Sequence, residues 1–493
     1  MADPRRGARR DGGAKVDAAR LLAYDVLVAV REQDAYTNLL LAALLRERGV
    51  SGRDAAFATE LVSGTLRRQG TYDAVITACV DRPLAKVDAA VLDALRLGAH
   101  QLLAMRVPTH AAVSTSVDLV RRRVGHGPAG FVNAVLRKVS AHDLDGWVRR
   151  VAPDPSTDPV GYSSVAHSHP RWVVEALAEA LAPLAPPAPQ GSQGSQGSQG
   201  SQGSQGSQAD LEALLVADNT PPRVTLVARP GLATVEELVA AGGTASTQSP
   251  YAVELTAGDP GSVPAVGEGR AGVQDEGSQL VALALSNAPV EGRDERWLDL
   301  CAGPGGKAAL LAALAAPRGA RVLASERQPH RARLVKRATA TASAGLAGVV
   351  TADGTVPAWS PGTFDRVLVD APCSGLGALR RRPESRWRRT PEDLEDLVPL
   401  QERLLRSALD AVRPGGVVAY VTCSPVVAET SAVVARVLGD RPDVVLEDAS
   451  PLFEGVVDLR TKESRLPGTV QLWPHRHGTD AMFFALLRRR ADR

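Results

Sequence analysis

Between Val16 and about Ser140, apolar residues recur every three or four positions, with Val16, Ala19, Ala23, Val26, Leu27 and Val30 falling on one face of the first run. That spacing predicts an amphipathic helix. It returns over Leu39 to Arg48, Asp54 to Arg68, Val87 to Met105, Ala111 to Val124 and Pro128 to Ser140, so residues 16–150 read as an all-α bundle. Pro153, Pro155 and Pro159 then break the period. A short helix is expected from Arg171 to Leu181, and Pro183, Pro186, Pro187 and Pro189 lead into six Gly-Ser-Gln triplets, Gly191 to Gln208. Such a tract has nothing to bury and reads as a flexible tether without chemistry. Residues 151–208 are therefore assigned as linker.

A different pattern follows. Arg223 to Ala228 and Tyr251 to Leu255 read as strands and Thr234 to Ala241 as a helix, giving a small α+β subdomain over 209–278. After a helix at Gln279 to Leu285, strands and helices alternate from Arg296 onward. Trp297–Leu300, Arg321–Ser325, Gly348–Thr351, Phe364–Val369 and Val417–Val421 are strands; Gly305–Ala315, Pro329–Thr341 and Pro391–Val412 are helices. Alternation at this spacing predicts a parallel sheet with right-handed crossovers, so 279–493 is assigned to an α/β, Rossmann-like domain with a mostly parallel seven-stranded sheet. Ala481 to Leu487 is expected as a last strand, antiparallel at an edge.

Composition adds bounds. A chain of 493 residues with 44% apolar content is long enough for several cores. Four cysteines without a CxxC pair point to a reducing compartment and free thiols. The longest apolar runs, such as Ala308 to Ala316, fall short of the roughly 18 residues of a membrane span. The pairs Arg5-Arg6 and Arg9-Arg10 do not make an export signal, because Asp17, Arg20 and Asp25 interrupt the apolar stretch it needs. A cytoplasmic protein is expected.

The net charge of +2 conceals two basic clusters. The arm 1–15 carries Arg5, Arg6, Arg9, Arg10 and Lys15 and reads as a solvated segment. The other cluster begins seven residues beyond Cys373 and holds Arg380, Arg381, Arg382, Arg386, Arg388 and Arg389 around Trp387, with Glu384 as its acid. An aromatic among cations is the composition of an RNA-binding loop, so Arg380, Arg381, Arg382, Arg386 and Trp387 are expected to contact RNA.

Candidate chemistry collects at strand ends. The segment Cys301-Ala302-Gly303-Pro304-Gly305-Gly306-Lys307 follows a strand and opens a helix, where a doubly wound fold holds a nucleotide-like ligand. Ala308 and Cys301 occupy the places that a triphosphate-gripping loop gives to Ser/Thr and Gly, and the spacing G-x-G-x-x-G is absent. An adenosyl ligand fits better. Glu326, just after the next strand, is placed to take both ribose hydroxyls, and Asp353, after the third, to reach the adenine amine. Cys373, in Asp370-Ala371-Pro372-Cys373-Ser374-Gly375, and Cys423, in Thr422-Cys423-Ser424, each follow a β-rich run. One cysteine in a core is usually an inert apolar group; two at adjacent strand ends among small and polar residues read as reactive thiols. A metal held by Cys301, Cys373 and Cys423 with His475 or His477 matches no zinc spacing, and none is expected.

The segments around Cys301–Lys307, Asp370–Gly375 and Thr422–Ser424 resemble the RNA 5-methylcytosine methyltransferase family, whose catalytic domains have the class I methyltransferase fold. The helical region, with Val107-Pro108-Thr109-His110-Ala111-Ala112-Val113 and Gly130-Phe131-Val132-Asn133-Ala134-Val135-Leu136-Arg137, looks like a NusB-type RNA-binding bundle. That pairing, with Val273-Gln274-Asp275-Glu276-Gly277-Ser278-Gln279, is similar to the RsmB (Sun, Fmu) type, and the likeness spans nearly everything outside the arm and the tether. The resemblance implies S-adenosylmethionine as cofactor, held by residues 301–307 with Glu326, Asp353 and Asp370. It implies Cys423 as nucleophile on a cytosine, Cys373 as the group assisting release, and Asp370 as the partner of the ring. Many relatives carry Asp where Glu326 stands. The implied substrate is 16S ribosomal RNA or a small-subunit assembly intermediate, acted on by a monomer. Rival readings are the same chemistry on transfer RNA or 23S rRNA, and a non-catalytic RNA-binding or antitermination factor.

Overall fold

The computed structural model describes residues 17–33, 36–182, 200–459 and 464–491. The basic arm and the tether up to residue 199 lie outside the described residues. Two compact units result: residues up to 171 with 382–384, and residues 172–381 with 385–493.

The first unit is helical. Ala18–Glu32, Thr37–Glu47, Gly52–Arg67, Gln69–Cys79, Ala89–Leu103, Thr109–Arg123 and Ala129–Val139 pack around Leu22, Leu61, Tyr72, Ile76, Leu95, Leu97 and Leu119. Asp17 and Asp88 start two of them by accepting from the Arg20 and Val91 N–H groups at 2.8 and 3.1 Å, which satisfies donors a helix leaves open. The helix Gln69–Cys79 was not anticipated. The unit also runs beyond 150, into the segment expected as linker: Leu144–Val151 and Pro159–Ala166 are helices, capped by Asp143 and Asp158. The Thr71 hydroxyl donates to the Val165 carbonyl at 2.6 Å and the Gly70 N–H to Ser168 Oγ at 2.9 Å, tying this segment to Gln69–Cys79. The prolines here bound short helices instead of abolishing structure.

The second unit contains two sheets. In the smaller, β1 (Val224–Ala228), β2 (Gly243–Ala245), β3 (Ala252–Leu255) and β4 (Ala271–Val273) run antiparallel in the order β2-β3-β1-β4. The helix before it, Gly200–Asp218, starts inside the Gly-Ser-Gln tract. Buried Leu211, Leu214 and Leu215 anchor its second half, and propagation from an anchored turn is far easier than nucleation.

The larger sheet comprises β5 (Arg296–Asp299), β6 (Arg321–Ser325), β7 (Leu346–Val350), β8 (Phe364–Asp370), β9 (Val412–Thr422), β10 (Val444–Glu447), β11 (Val470–Gln471) and β12 (Phe483–Arg489). Its order is β10-β12-β9-β8-β5-β6-β7, with β11 paired to β12. Strands β5 to β9 are parallel. The last strand is antiparallel as expected but is not an edge: β12 lies between β9 and β10. Half-exposed β10, four residues long, was too short to stand out. The order reverses between β7 and β8, so the chain has its switch point at β5, where open α/β sheets bind ligands. The Glu276–Asn287 and Gly306–Ala315 helices are apolar nearly all round and bury Val281, Leu285, Leu310 and Leu311 against one face of this sheet.

Candidate functional site

Every chemically interesting side chain in the second unit sits at the C-terminal edge of the larger sheet. Parallel strands β8 and β9 pair so that Asp370 stands opposite Val421. The residues that follow each strand therefore emerge side by side. Cys373 and Cys423 Sγ atoms are 3.5 Å apart, both half-buried. The Cys373 thiol is pushed well above the usual thiol range, first by its hydrogen bond to Cys423, then by burial and by the negative charge Cys423 can carry.

Beside the thiols, Lys307 Nζ donates to Asp370 Oδ2 at 2.9 Å. Burial works against the Lys307 ammonium, but the charge and hydrogen bond of Asp370, with smaller help from Cys423 and Asp299, hold its pKa above the ordinary value. The lysine thus joins the cofactor loop to the strand that carries Asp370. Cys301 differs from the other two thiols: burial and the surrounding carboxylates Asp299, Asp370 and Glu326 raise it well above its usual range, so it stays an inert thiol.

The loop after β5 has the shape a flat ligand needs. Gly305 adopts φ 111°, and a Cβ there would lie 2.8 Å from the Ala338 Cβ. A Cβ on Gly303 would collide with the Glu326 carboxylate. Glu326 is buried and accepts from the Gly303 N–H at 3.1 Å and the Gln328 N–H at 2.9 Å, which leaves further lone pairs for a ribose diol. Asp353 accepts from the Thr355 N–H and hydroxyl at 2.9 and 2.7 Å, bonds that hold its pKa low, and its other oxygen lies 3.5 Å from Arg327. It closes its own turn as well as standing at the β7 end.

Asp299, at the end of β5, was missed by sequence reasoning. It is fully buried, burial and the nearby Asp370 push its pKa up to about 8, and neither oxygen has a well-formed hydrogen bond, the Cys301 amide giving weak support. A buried carboxyl short of donors beside a glycine loop suits a ligand that brings a cationic N–H group. The residues present therefore fit S-adenosylmethionine.

The arginine cluster departs from expectation. Arg386 is fully buried and donates to the Asn219 side chain at 2.8 Å and the Asp218 carbonyl at 3.2 Å. Arg380 is buried and donates to the Gly478 carbonyl at 2.7 Å. Arg381 bridges Asp275 at 2.5 Å and Asp480 at 3.2 Å. Arg382, in the helical unit, lies 5.2 Å from the Tyr36 ring centroid, and Trp387 is half-buried. Arg380, Arg381 and Arg386 thus fasten the chain to acids and carbonyls distant in sequence and do not present their guanidinium groups to an RNA backbone. Among the described residues, no helix is long and apolar enough to cross a membrane, and no group of three or more His, Cys, Asp or Glu side chains is arranged to hold a metal ion.

The sheet order, the glycine loop at its switch point and the carboxylates around that loop define a class I methyltransferase that uses S-adenosylmethionine. Residues 285–488 match the family model described as 16S rRNA methyltransferase RsmB/F, and residues 17–141 match the NusB family. The chain belongs to the RsmB/F family of RNA methyltransferases. It is 50% identical over 98% of its length to a Mycobacterium tuberculosis protein named a putative methyltransferase, of which it covers 98%. It is 34% identical to ribosomal RNA small subunit methyltransferase B of Xylella fastidiosa and 31% identical to the probable enzyme of that name from Synechocystis; 95% and 96% of this chain align to 99% of each. A solved structure designated PH0851 shares the fold, with a TM-score of 0.73 at 21% identity over 96% of this chain and 98% of that one.

Proposed function

We propose that the chain methylates C5 of a cytosine in 16S ribosomal RNA through a transient bond between Cys423 and C6 of the base. The observation that carries this reading is the pair of thiols 3.5 Å apart at the ends of neighbouring strands, with the Lys307–Asp370 ion pair beside them. C5 of cytosine is too electron-poor to attack a methyl donor directly. Addition of the Cys423 thiolate to C6 forms the S–C6 bond and moves the ring's electron pair toward C5 and N3, which makes C5 nucleophilic. Asp370, oriented by Lys307, accepts from the exocyclic amine and, through a proton held between its carboxyl and N3, neutralises the charge that develops on the ring. S-adenosylmethionine, when bound, supplies an electrophilic methyl group. Release transfers the C5 proton to a base, and the C–H electron pair restores the ring double bond as the electron pair of the S–C6 bond returns to Cys423. Cys373, 3.5 Å from Cys423, is placed to take part in that base-assisted step.

The cofactor is assigned to residues 301–307 with Glu326, Asp353 and Asp370, and to Asp299, whose buried carboxyl would face the methionine ammonium. The names of the relatives supply the small-subunit target, and a base held in folded RNA must be turned out to reach the thiols, at a cost of a few kcal/mol. The test is incubation of the full chain with labelled cofactor and either 16S rRNA, 23S rRNA or transfer RNA, followed by bisulfite mapping. Label at a cytosine C5 of 16S rRNA is expected. Cys423→Ser should lower turnover on the order of 10⁴-fold or more, and Cys373→Ala should accumulate a covalent protein–RNA adduct. Full turnover by Cys423→Ser would refute the mechanism.

A further inference from the structure

Glu429 plays no part in the chemistry above, yet it is fully buried on the short turn Val427–Glu429 that follows the Cys423 loop. Its Oε1 accepts from the Ser374 backbone N–H at 2.7 Å and the Gln401 side-chain amide at 3.0 Å. Oε2 accepts from the Ser374 hydroxyl at 2.5 Å and the Ser424 hydroxyl at 2.6 Å. Ser374 follows Cys373 and Ser424 follows Cys423, and their hydroxyl oxygens are 3.0 Å apart. The Gln401 amide also donates to the carbonyl of Pro372, the residue before Cys373, at 2.9 Å. From β9, the Tyr420 hydroxyl holds the Glu429 carbonyl at 2.8 Å.

A buried carboxylate satisfied only to stabilise the fold would draw its donors from wherever the core offers them. Here every donor belongs to one of the two thiol loops or to the glutamine that anchors one of them. No cation pairs with Glu429 among the described residues, and burying an unpaired charge is costly unless several hydrogen bonds meet it. Only an ionised carboxylate accepts from four donors at once without offering a proton of its own. Its charge also favours the protonated form of Cys373, after the larger effects of the Cys423 hydrogen bond and of burial.

We propose that Glu429 is a positioning residue that clamps the Cys373 and Cys423 loops together and so sets the spacing on which both attack and release depend. The proposal rests on the thiol-addition reading, but its central measurement needs neither RNA nor turnover. In the full chain, Glu429→Gln keeps the side chain's size and turns an amide donor toward groups that already donate. Diamide, which takes one hydrogen from each thiol and is itself reduced to a hydrazine, closes Cys373 and Cys423 into a disulfide whose rate reports their spacing.

With Glu429→Gln, closure measured well below the melting temperature is expected to slow markedly while cofactor KM stays near that of the parent. A displacement of about 1 Å costs on the order of 100-fold, the fall expected in kcat. The arms of the clamp separate in two further variants: Ser424→Ala is expected to slow adduct formation, and Ser374→Ala to slow adduct release. Closure at the parental rate in a folded Glu429→Gln protein would overturn the proposal, as would a loss of kcat that follows melting temperature alone. Should Glu429→Gln fail to fold, the serine variants decide, and parental kinetics in both would be the overturning result. Slowed closure in a protein whose parent forms no RNA adduct would keep the clamp and remove the cytosine chemistry.

Discussion

The thiol loops and the arginine-rich segment 380–389 are neighbours in sequence and both carry groups suited to RNA work, but the fold uses them in opposite ways. Cys373 and Cys423 are half-buried at a sheet edge, and the polar atoms around them are arranged so that the sulfurs face each other. Arg380, Arg381 and Arg386 point inward and meet Asp275, Asp480, Asn219 and backbone carbonyls. A cation is available to a phosphate only if nothing in its own chain has already claimed it. Basic composition beside an active site therefore says little until the acids brought by distant segments are known, whereas a thiol at the end of a buried parallel strand has few places to go.

The contrast is broken most forcefully at Arg386. If the guanidinium is structural, Arg386→Ala leaves a cavity and unpartnered groups around Asp218 and Asn219, and a loss of roughly 3–5 kcal/mol in unfolding free energy is expected. RNA affinity of the folded fraction, and its dependence on salt, should not change. A phosphate contact would give the reverse: little loss of stability and a salt slope smaller by about one unit. Chemical denaturation and titration of RNA binding at several salt concentrations distinguish the two. Arg381→Ala is a milder version, since this side chain keeps some exposure and its ion pairs are partly screened. A loss of about 1–3 kcal/mol is expected for removing the partner of two acids, again with the RNA salt slope unchanged. The variant frees Asp275, which also caps the Glu276–Asn287 helix through the Gly277 N–H at 2.9 Å and accepts from the Asp480 N–H at 3.1 Å.

What the sequence disclosed follows the same division. Strands β8 and β9 carry unbroken apolar stretches, Val367–Val369 and Val417–Val421, because both faces of a parallel sheet are covered, and such stretches stand out without any knowledge of their partners. The candidate site residues at their ends stood out for that reason: Glu326, Asp370, Cys373 and Cys423 lie at or just past a recognisable strand, and Lys307 lies in the first turn of the helix after one. Residues whose meaning depends on long-range pairing were not. Glu429 stands six positions beyond Cys423, but its decisive donors come from Ser374, 55 residues earlier. Asp275 was noticed only as part of a resemblance, and its partners Arg381 and Asp480 lie 106 and 205 residues away. The strand β10 was lost because four residues carry no periodicity of their own, and the helix Gln69–Cys79 because its short sequence mixes polar and apolar positions.

The remaining expected effect depends on pH and bears on the cofactor side of the edge, where Asp299 is a buried acid without the donors that the arginine cluster's acids enjoy. Its carboxyl is held up to about 8 by burial and by Asp370, against an ordinary value near 4. Between those two values the native protein holds a proton that the unfolded chain has released, so this group's contribution to stability is complete below about pH 4 and is lost progressively as pH rises to about 8. Asp299→Asn has no such proton to lose. Its unfolding free energy should match the parent's in acid and exceed it increasingly toward pH 8, by an amount on the order of a few kcal/mol at most. A cationic ammonium beside the carboxyl would reverse the balance and favour the ionised form, so cofactor binding to the parent should release a proton near neutral pH and tighten as pH rises. The asparagine variant should bind more weakly and lose that dependence. Calorimetric titration in two buffers of different ionisation enthalpy counts the released proton, and an identical count for Asp299→Asn would remove Asp299 from the ammonium's surroundings.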